Sequence, residues 1–204
     1  MASAIIGFFE GLGWSKTAVA AMLSVIPVTE IKGAVLFSAA SEGGMLLPVL
    51  AAYLSSVLLA GILAFTVPRT LALAHRIAFV RRVTAFLTDR LGARADRIAA
   101  NAEKRGEKRE AARVFGVFAF VALPLPLTGI WAGALLAALL GLKPKDSFFA
   151  LAAGNFSAGG VVLAVALLAG DRAGFVFEMF LYFALAVLAF TILKTTLIRR
   201  RVGE

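Results

Sequence analysis

A short polar segment interrupts an apolar run near the N-terminus, and its side chains could bind or move a proton. It reads Pro27-Val28-Thr29-Glu30-Ile31-Lys32-Gly33 within the run 17–40. A carboxylate inside a membrane is costly unless it is protonated, paired or hydrated, so Glu30 is a candidate for proton coupling. Lys32 adds a positive charge that could bind an anionic or amphiphilic substrate. The alternative is that both side chains lie in water near an interface, where Thr29-Glu30 only cap a helix.

A similar segment returns 99 residues later as Pro126-Leu127-Thr128-Gly129-Ile130-Trp131-Ala132-Gly133, and both share the pattern Pro-x-Thr-x-Ile. Proline lacks an amide donor and clashes with the preceding helical turn, so Pro27, Pro124 and Pro126 predict breaks in two apolar runs. Broken hydrophobic segments at matching positions in two halves are typical of a transporter built from a repeat.

Each break is expected to start a half-helix whose N-terminus carries free amides and a partial positive charge. We expect Thr29 and Thr128 to act as N-caps there through their hydroxyls. If the two N-termini face each other, they form with Lys32 an anion-friendly site that binds substrate.

Four further residues are candidates for substrate binding. Gly129 and Trp131 belong to the second polar segment, although Trp131 could instead fill a packing space. Asn155 interrupts a later apolar run, where it could bind a ligand or join two helices. Tyr53 lies in the corresponding run of the first half and could reach the same cavity.

The composition indicates the elements that must position these residues. Of the 204 residues, 61% are hydrophobic and 16% are charged, and the mean hydropathy is +0.92. These values exclude an ordinary soluble domain and predict an all-α integral membrane protein with one membrane domain, residues 1–204. The apolar runs are 17–40, 43–68, 114–142, 147–170 and 173–193.

Length and breaks together predict the architecture. At about 1.5 Å per residue, each arm of a broken run covers roughly half of the ~30 Å hydrocarbon core, which favours a re-entrant helical hairpin. We predict two inverted repeats, each a re-entrant hairpin followed by a transmembrane helix. The predicted segments are an N-terminal interfacial helix at 1–16, the first repeat at 17–68, a basic amphipathic linker at 69–113, the second repeat at 114–170 and a C-terminal transmembrane helix at 173–198.

Charge predicts the topology. Of 21 Lys and Arg residues, 12 lie in the linker 69–113, and the positive-inside rule places this linker and the basic C-terminus in the cytoplasm. Lys143 and Lys145 also lie in the cytoplasm if the run 114–142 enters the membrane from that side and returns to it. We therefore expect a multi-pass protein of the cytoplasmic (inner) membrane. Anionic lipid headgroups account for the net charge of +9 better than nucleic acid does.

Enzyme templates do not fit the chain. It has no cysteine, and His75 is its one histidine. There is no Ser/His/Asp arrangement, metal-ligand cluster or Walker loop, so we expect no catalytic residue, metal or cofactor. The expected partners are membrane lipids, the transported molecule and protons, with a homodimer left open.

Two strings resemble motifs of the small multidrug export protein family. SVIPVTEIKGAVLF resembles its P-x-x-E-(I/L)-(R/K)-G-A-(I/V) segment, and ALPLPLTGIWAGALLAALLGL resembles its P-L-P-G-T-G-A-W-T-G-A-L segment. The resemblance covers about residues 17–170. Leu127 stands where the family usually has Gly, Ile130 replaces Ala, Ala132 replaces Thr and Lys32 replaces the more usual Arg.

The resemblance implies a relation to the DedA-like (VTT-type) superfamily, with its two inverted re-entrant hairpins. It implies either proton-coupled export of small molecules or flipping of phospholipid or polyprenyl-phosphate substrates. The DedA-type arginines have no clear counterpart, and Arg113 is the nearest. Our lead hypothesis is a proton-coupled secondary transporter with a midplane site. The alternatives are a lipid translocase without obligatory coupling and a non-transporting scaffold that acts through the linker.

Overall fold

The described part of the chain is helical throughout. The computed structural model describes residues 7–9, 11–74 and 109–202, so most of the predicted linker and His75 lie outside it. Seven helices have their bounds there: α1 Lys16–Val25, α2 Glu30–Ala40, α3 Leu46–Ala74, α4 Arg109–Ala122, α5 Ile130–Leu139, α6 Pro144–Ala169 and α7 Ala173–Val202. A 3₁₀ turn, Gly170–Arg172, joins α6 to α7. The prediction of an all-helical fold is confirmed.

The helices fall into two length classes. Helices α1, α2 and α5 have 10, 11 and 10 residues, and α4 has 14 within the described part of the chain. These lengths correspond to roughly 15 to 21 Å, too short to cross a hydrocarbon core of ~30 Å. Two stretches are long and apolar enough to cross it, Leu46–Leu73 and the run Pro144–Phe190. The short helices come from the two apolar runs that contain the proline segments.

Both of those runs are interrupted where proline occurs. We call residues 26–29, between α1 and α2, the first break, and residues 123–129, between α4 and α5, the second break. One non-glycine residue at or directly after each break has a left-handed backbone: Glu30, the first residue of α2, with φ 48°, and Leu127, within the second break, with φ 67°. This region is sterically unfavourable for side chains other than glycine, so tertiary contacts must stabilise both turns.

Each short helix after a break runs back beside the helix before it. The Lys16 Nζ at the start of α1 donates to the Ser41 carbonyl just after α2, at 2.8 Å. In the second half, the Arg113 guanidinium near the start of α4 donates to the Leu140 carbonyl just after α5, at 3.4 Å. The ends of each pair are therefore close, and the break lies at the other extremity of the pair.

The long helices α3 and α6 run antiparallel. Tyr53, early in the contact, donates to the carbonyl of Phe156 at 3.3 Å, whereas Gly61, two turns later, lies beside Phe148. Later residues of α3 thus contact earlier residues of α6. This crossing brings the two halves of the chain together at the centre of the molecule.

Two apolar clusters form the core, and each takes residues from both halves. The first joins α1 and α2 to Val162 and Ala166 of α6. The second joins α4 and α5 to Ala60, Leu63 and Ala64 of α3. Helix α7 packs on the first cluster, where the rings of Phe177 and Phe37 lie 6.2 Å apart. Because each long helix packs on the other half's short helices, the halves cannot separate without exposing apolar surface.

Candidate functional site

A buried ion pair lies at the start of α2. Glu30 and Lys32 are only 2% and 1% exposed, and the Lys32 Nζ lies 3.2 Å from Glu30 Oε2. Residues two apart do not share a face of a regular helix. The left-handed backbone of Glu30 explains how its carboxylate nevertheless reaches Lys32.

The same two side chains also bind the second break. Lys32 Nζ donates to the carbonyl of Leu125 at 2.7 Å, and the Glu30 carboxylate lies against Gly129, where it faces the backbone amides of Ile130 and Trp131. Those amides open α5, where a helix carries free N–H groups and a partial positive charge. Glu30 therefore occupies the anion position at the α5 N-terminus. We call Glu30, Lys32, Leu125, Ile130 and Trp131 the charged contact.

Gly129 permits the close approach that the charged contact needs. It is the N-cap of α5, with φ −98°, and a Cβ at this position would overlap the Glu30 carboxyl group. Since this φ is open to any residue, the requirement for glycine is steric rather than conformational. The structure thus places Gly129, a predicted substrate-binding residue, directly against Glu30.

Trp131 in turn binds the end of α1, directly before the first break. Its indole Nε1 donates to the carbonyl of Val25, the last residue of α1, at 3.0 Å, and the side chain is 39% exposed. Lys32 and Trp131 lie 99 residues apart, the offset between the two polar segments. Each donates to a carbonyl at the opposite break, so the two breaks are joined by reciprocal hydrogen bonds.

The predicted N-cap role of the two threonine hydroxyls is wrong. Thr29 is the N-cap residue of α2 but makes no side-chain capping bond, and its hydroxyl donates to the Leu23 carbonyl at 2.6 Å. The Thr128 hydroxyl lies 2.9 Å from the carbonyls of Leu123 and Leu125. The preceding helix ends leave these carbonyls without intrahelical donors, and the hydroxyls satisfy them.

Asn155 joins the two long helices. Its Nδ2 donates to Ser56 Oγ at 2.9 Å, and both residues are buried. Its Oδ1 has no hydrogen-bond partner among the described residues. Ser56 was not among the predicted site residues, although a signal existed, because it occupies the position that corresponds to Asn155 at the offset of 99. Tyr53 lies one turn before Ser56 in α3, and its hydroxyl donates to the Phe156 carbonyl.

The described residues contain no group of three or more His, Cys, Asp or Glu side chains that could hold a metal ion. The charged chemistry of the centre therefore rests on Glu30 and Lys32. Together with the helix terminus of α5, they can exchange a proton and bind an anionic group.

Short helices that meet at a buried ion pair, beside long apolar helices, define the chain as a helical membrane protein. The family model described as putative small multi-drug export protein matches residues 30–161. The chain belongs to this family, which confirms the resemblance drawn from the two motifs. The family is one of export proteins rather than enzymes. No curated protein and no solved structure gave a match.

Proposed function

We propose that this protein is a proton-coupled secondary transporter that exports a small anionic or amphiphilic substrate, with Glu30 as the coupling carboxylate. The observation that carries the proposal is the charged contact, in which one buried ion pair joins both breaks. An ion pair of this kind is a weak source of stability, because desolvation offsets most of its attraction. A functional role accounts for it better.

Proton transfer to Glu30 supplies a way to open the contact. Protonation removes the negative charge that binds Lys32 and the amides of Ile130 and Trp131. These donors then become available to an anionic group of a substrate. When Glu30 releases its proton on the other side, its carboxylate returns to the same donors and displaces the substrate. Glu30 and the substrate thus occupy one anion position in turn, so a proton and the substrate cross together, and export down the substrate's own gradient carries a proton out with it.

Contacts between corresponding residues support an inverted repeat. Residues that contact their own counterparts lie on a two-fold axis. Glu30 lies against Gly129, and Ser56 binds Asn155, and both pairs differ by 99 residues. Since α3 and α6 run antiparallel, such an axis reverses the direction of one half relative to the other. Inverted halves of this kind bind substrate at their shared interface in many transporters.

The ends of the short helices support the same relation. Lys16 and Arg113 each donate to a carbonyl after the paired helix, and these carbonyls, of Ser41 and Leu140, also differ by 99 residues. We propose that α1–α2 and α4–α5 are re-entrant hairpins whose breaks meet near the bilayer midplane. Irregular backbone is tolerated at that depth only where protein or a water-filled cavity surrounds it, which fits the burial of Glu30, Lys32 and Ile130.

Proteoliposomes that contain a pH-sensitive dye test the proposal. A panel of amphiphilic antibiotics is added outside, and substrate-driven proton movement is recorded for the native chain, Glu30→Gln and Glu42→Gln. Glu42 is an exposed carboxylate between α2 and α3, so its variant is the matched control. We expect proton movement in the native and Glu42→Gln proteins and none in Glu30→Gln.

A second arm addresses lipid movement. Fluorescent phospholipid in the same vesicles is quenched with dithionite, with and without a pH gradient. Lipid translocation that needs neither the gradient nor Glu30 would assign the chain as a lipid translocase and overturn proton-coupled export. Proton movement that is unchanged in Glu30→Gln would remove the role assigned to that carboxylate.

A further inference from the structure

A groove between the first turns of α4 and α6 lies apart from the charged contact. It has a volume of about 580 Å³, within the range of about 300 to 1,000 Å³ that is usual for small-molecule sites. Apolar and aromatic side chains form its walls, and three charged side chains form its rim. The walls include Val114, Phe115, Phe118 and Phe149, and the rim consists of Glu110, Lys143 and Asp146.

The rim carries a net negative charge. Lys143 Nζ lies 3.0 Å from Glu110 Oε1, and this hydrogen bond raises the pKa of the Lys143 ammonium, which stays charged at neutral pH. The pair is electrically neutral, so the net negative charge comes from Asp146, whose carboxylate also attracts the Lys143 ammonium. Among the described side chains, Arg113 and Lys145 do not line the groove: Arg113 donates to the Leu140 carbonyl, and Lys145 is exposed.

The charged rim has no counterpart in the first half of the chain. At the offset of 99 residues, Gly11, Gly44 and Leu47 correspond to Glu110, Lys143 and Asp146. Architecture shared by the two halves therefore does not require these charges. A carboxylate beside exposed aromatic rings is suited to binding a cationic ligand.

We propose that this groove binds an amphiphilic cation, with its apolar body against Phe115, Phe118 and Phe149 and its cationic group beside Asp146. Aromatic faces attract cations through their quadrupoles, so the walls and the rim favour the same ligand. Phe115 and Phe149 are 65% and 57% exposed, which leaves the groove open from the side. Binding here requires no proton transfer at Glu30, so this proposal goes beyond the export function and does not depend on it.

Equilibrium binding of tetraphenylphosphonium to the full-length, detergent-purified protein tests the proposal. We expect Asp146→Asn to weaken binding at least five-fold, because it removes the carboxylate that gives the groove its net negative charge and keeps the side-chain shape. Phe149→Ala should weaken binding several-fold. Because this side chain is exposed, its truncation should not unfold the protein, so weaker binding would reflect the lost contact. Asp171→Asn, at an exposed carboxylate in the 3₁₀ turn, is the matched control and should bind as the native chain does.

Lys143→Gln separates a cationic ligand from a lipid headgroup. For a cation, this change removes a repulsive charge and frees Glu110, so tetraphenylphosphonium should bind equally or more tightly. Tighter binding of dodecyl sulfate than of tetraphenylphosphonium, or loss of bound phospholipid in Lys143→Gln, would overturn the proposal in favour of a phosphate or sulfate group. Unchanged tetraphenylphosphonium affinity in Asp146→Asn would overturn it too. Glu30→Gln should bind normally, so failure of transport is distinguishable from failure of this site.

Discussion

Lys32 and Leu125 are joined across the two halves of the chain by a hydrogen bond of 2.7 Å, from the Lys32 ammonium to the Leu125 carbonyl. The same ammonium pairs with Glu30. One side chain thus connects the start of α2, its own carboxylate partner and the second break. Changes to either member of the pair should therefore affect both stability and transport, and the two effects can be separated.

Lys32→Met should destabilise the protein more than the double change Glu30→Gln/Lys32→Met. The single change leaves a buried carboxylate without its cation, which costs about 3–5 kcal/mol. In the double variant no buried charge remains, and the Gln oxygen can still accept from the amides of Ile130 and Trp131. Thermal unfolding in detergent, followed by tryptophan fluorescence, measures the difference.

Both variants should lose proton-coupled transport, because neither retains a carboxylate paired with a cation. A double variant that is stable but inactive would assign the ion pair to transport. If its loss of stability equals or exceeds that of Lys32→Met, the pair is a structural element, and the argument from desolvation is wrong.

Gly129→Ala should destabilise the contact between the halves by about 1–3 kcal/mol, the usual cost of an overpacked site. The added methyl group would overlap the Glu30 carboxyl and force it away from the α5 amides. Gly116→Ala is the matched control, since a Cβ there meets nothing within 4 Å and alanine favours the helix. Unfolding temperature and proton-driven transport are the measurements. Equal behaviour of the two variants would contradict the close approach of Gly129 and Glu30.

The fold class and the position of the breaks follow from patterns that the sequence shows directly. A high apolar content and long uncharged runs predict membrane helices. Pro27 and Pro126 occur between helices, since proline lacks the amide donor that a helix interior needs, although Pro68 is accommodated within α3. The repeated Pro-x-Thr-x-Ile pattern identifies the two segments that the structure brings together.

The partners of the site residues could not be read in the same way. The pairing of Glu30 with Lys32 depends on a left-handed backbone at a glutamate, which its residue type does not predict. The threonine hydroxyls of both breaks bind carbonyls that become free only once the preceding helices end. Glu110 and Lys143 meet across 33 positions because α5 returns beside α4.

Ser56 and Asn155 should show a measurable coupling energy. Their hydrogen bond of 2.9 Å joins the two long helices in a buried position, and such bonds within a membrane contribute about 0.6 kcal/mol on average and up to about 1.7 kcal/mol. A double-mutant cycle of Ser56→Ala and Asn155→Ala, read from the free energy of unfolding, measures it. Ser157→Ala is the control, since this hydroxyl binds Ala153 within its own helix. Additive effects of Ser56→Ala and Asn155→Ala would mean that the bond contributes nothing.

Leu127→Gly should stabilise the second break. Leu127 has φ 67°, a left-handed conformation that costs a residue with a Cβ about 1–2 kcal/mol. Glycine removes that cost but loses more backbone entropy on folding, about 0.5–1 kcal/mol, so the net gain is smaller, about 0–1.5 kcal/mol. Leu123→Gly at the other end of the break has no positive φ to relieve and should destabilise the protein. Unfolding temperatures of the two variants should therefore move in opposite directions, and a shift in the same direction would show that Leu127 contributes more through its apolar contacts than it costs in backbone strain.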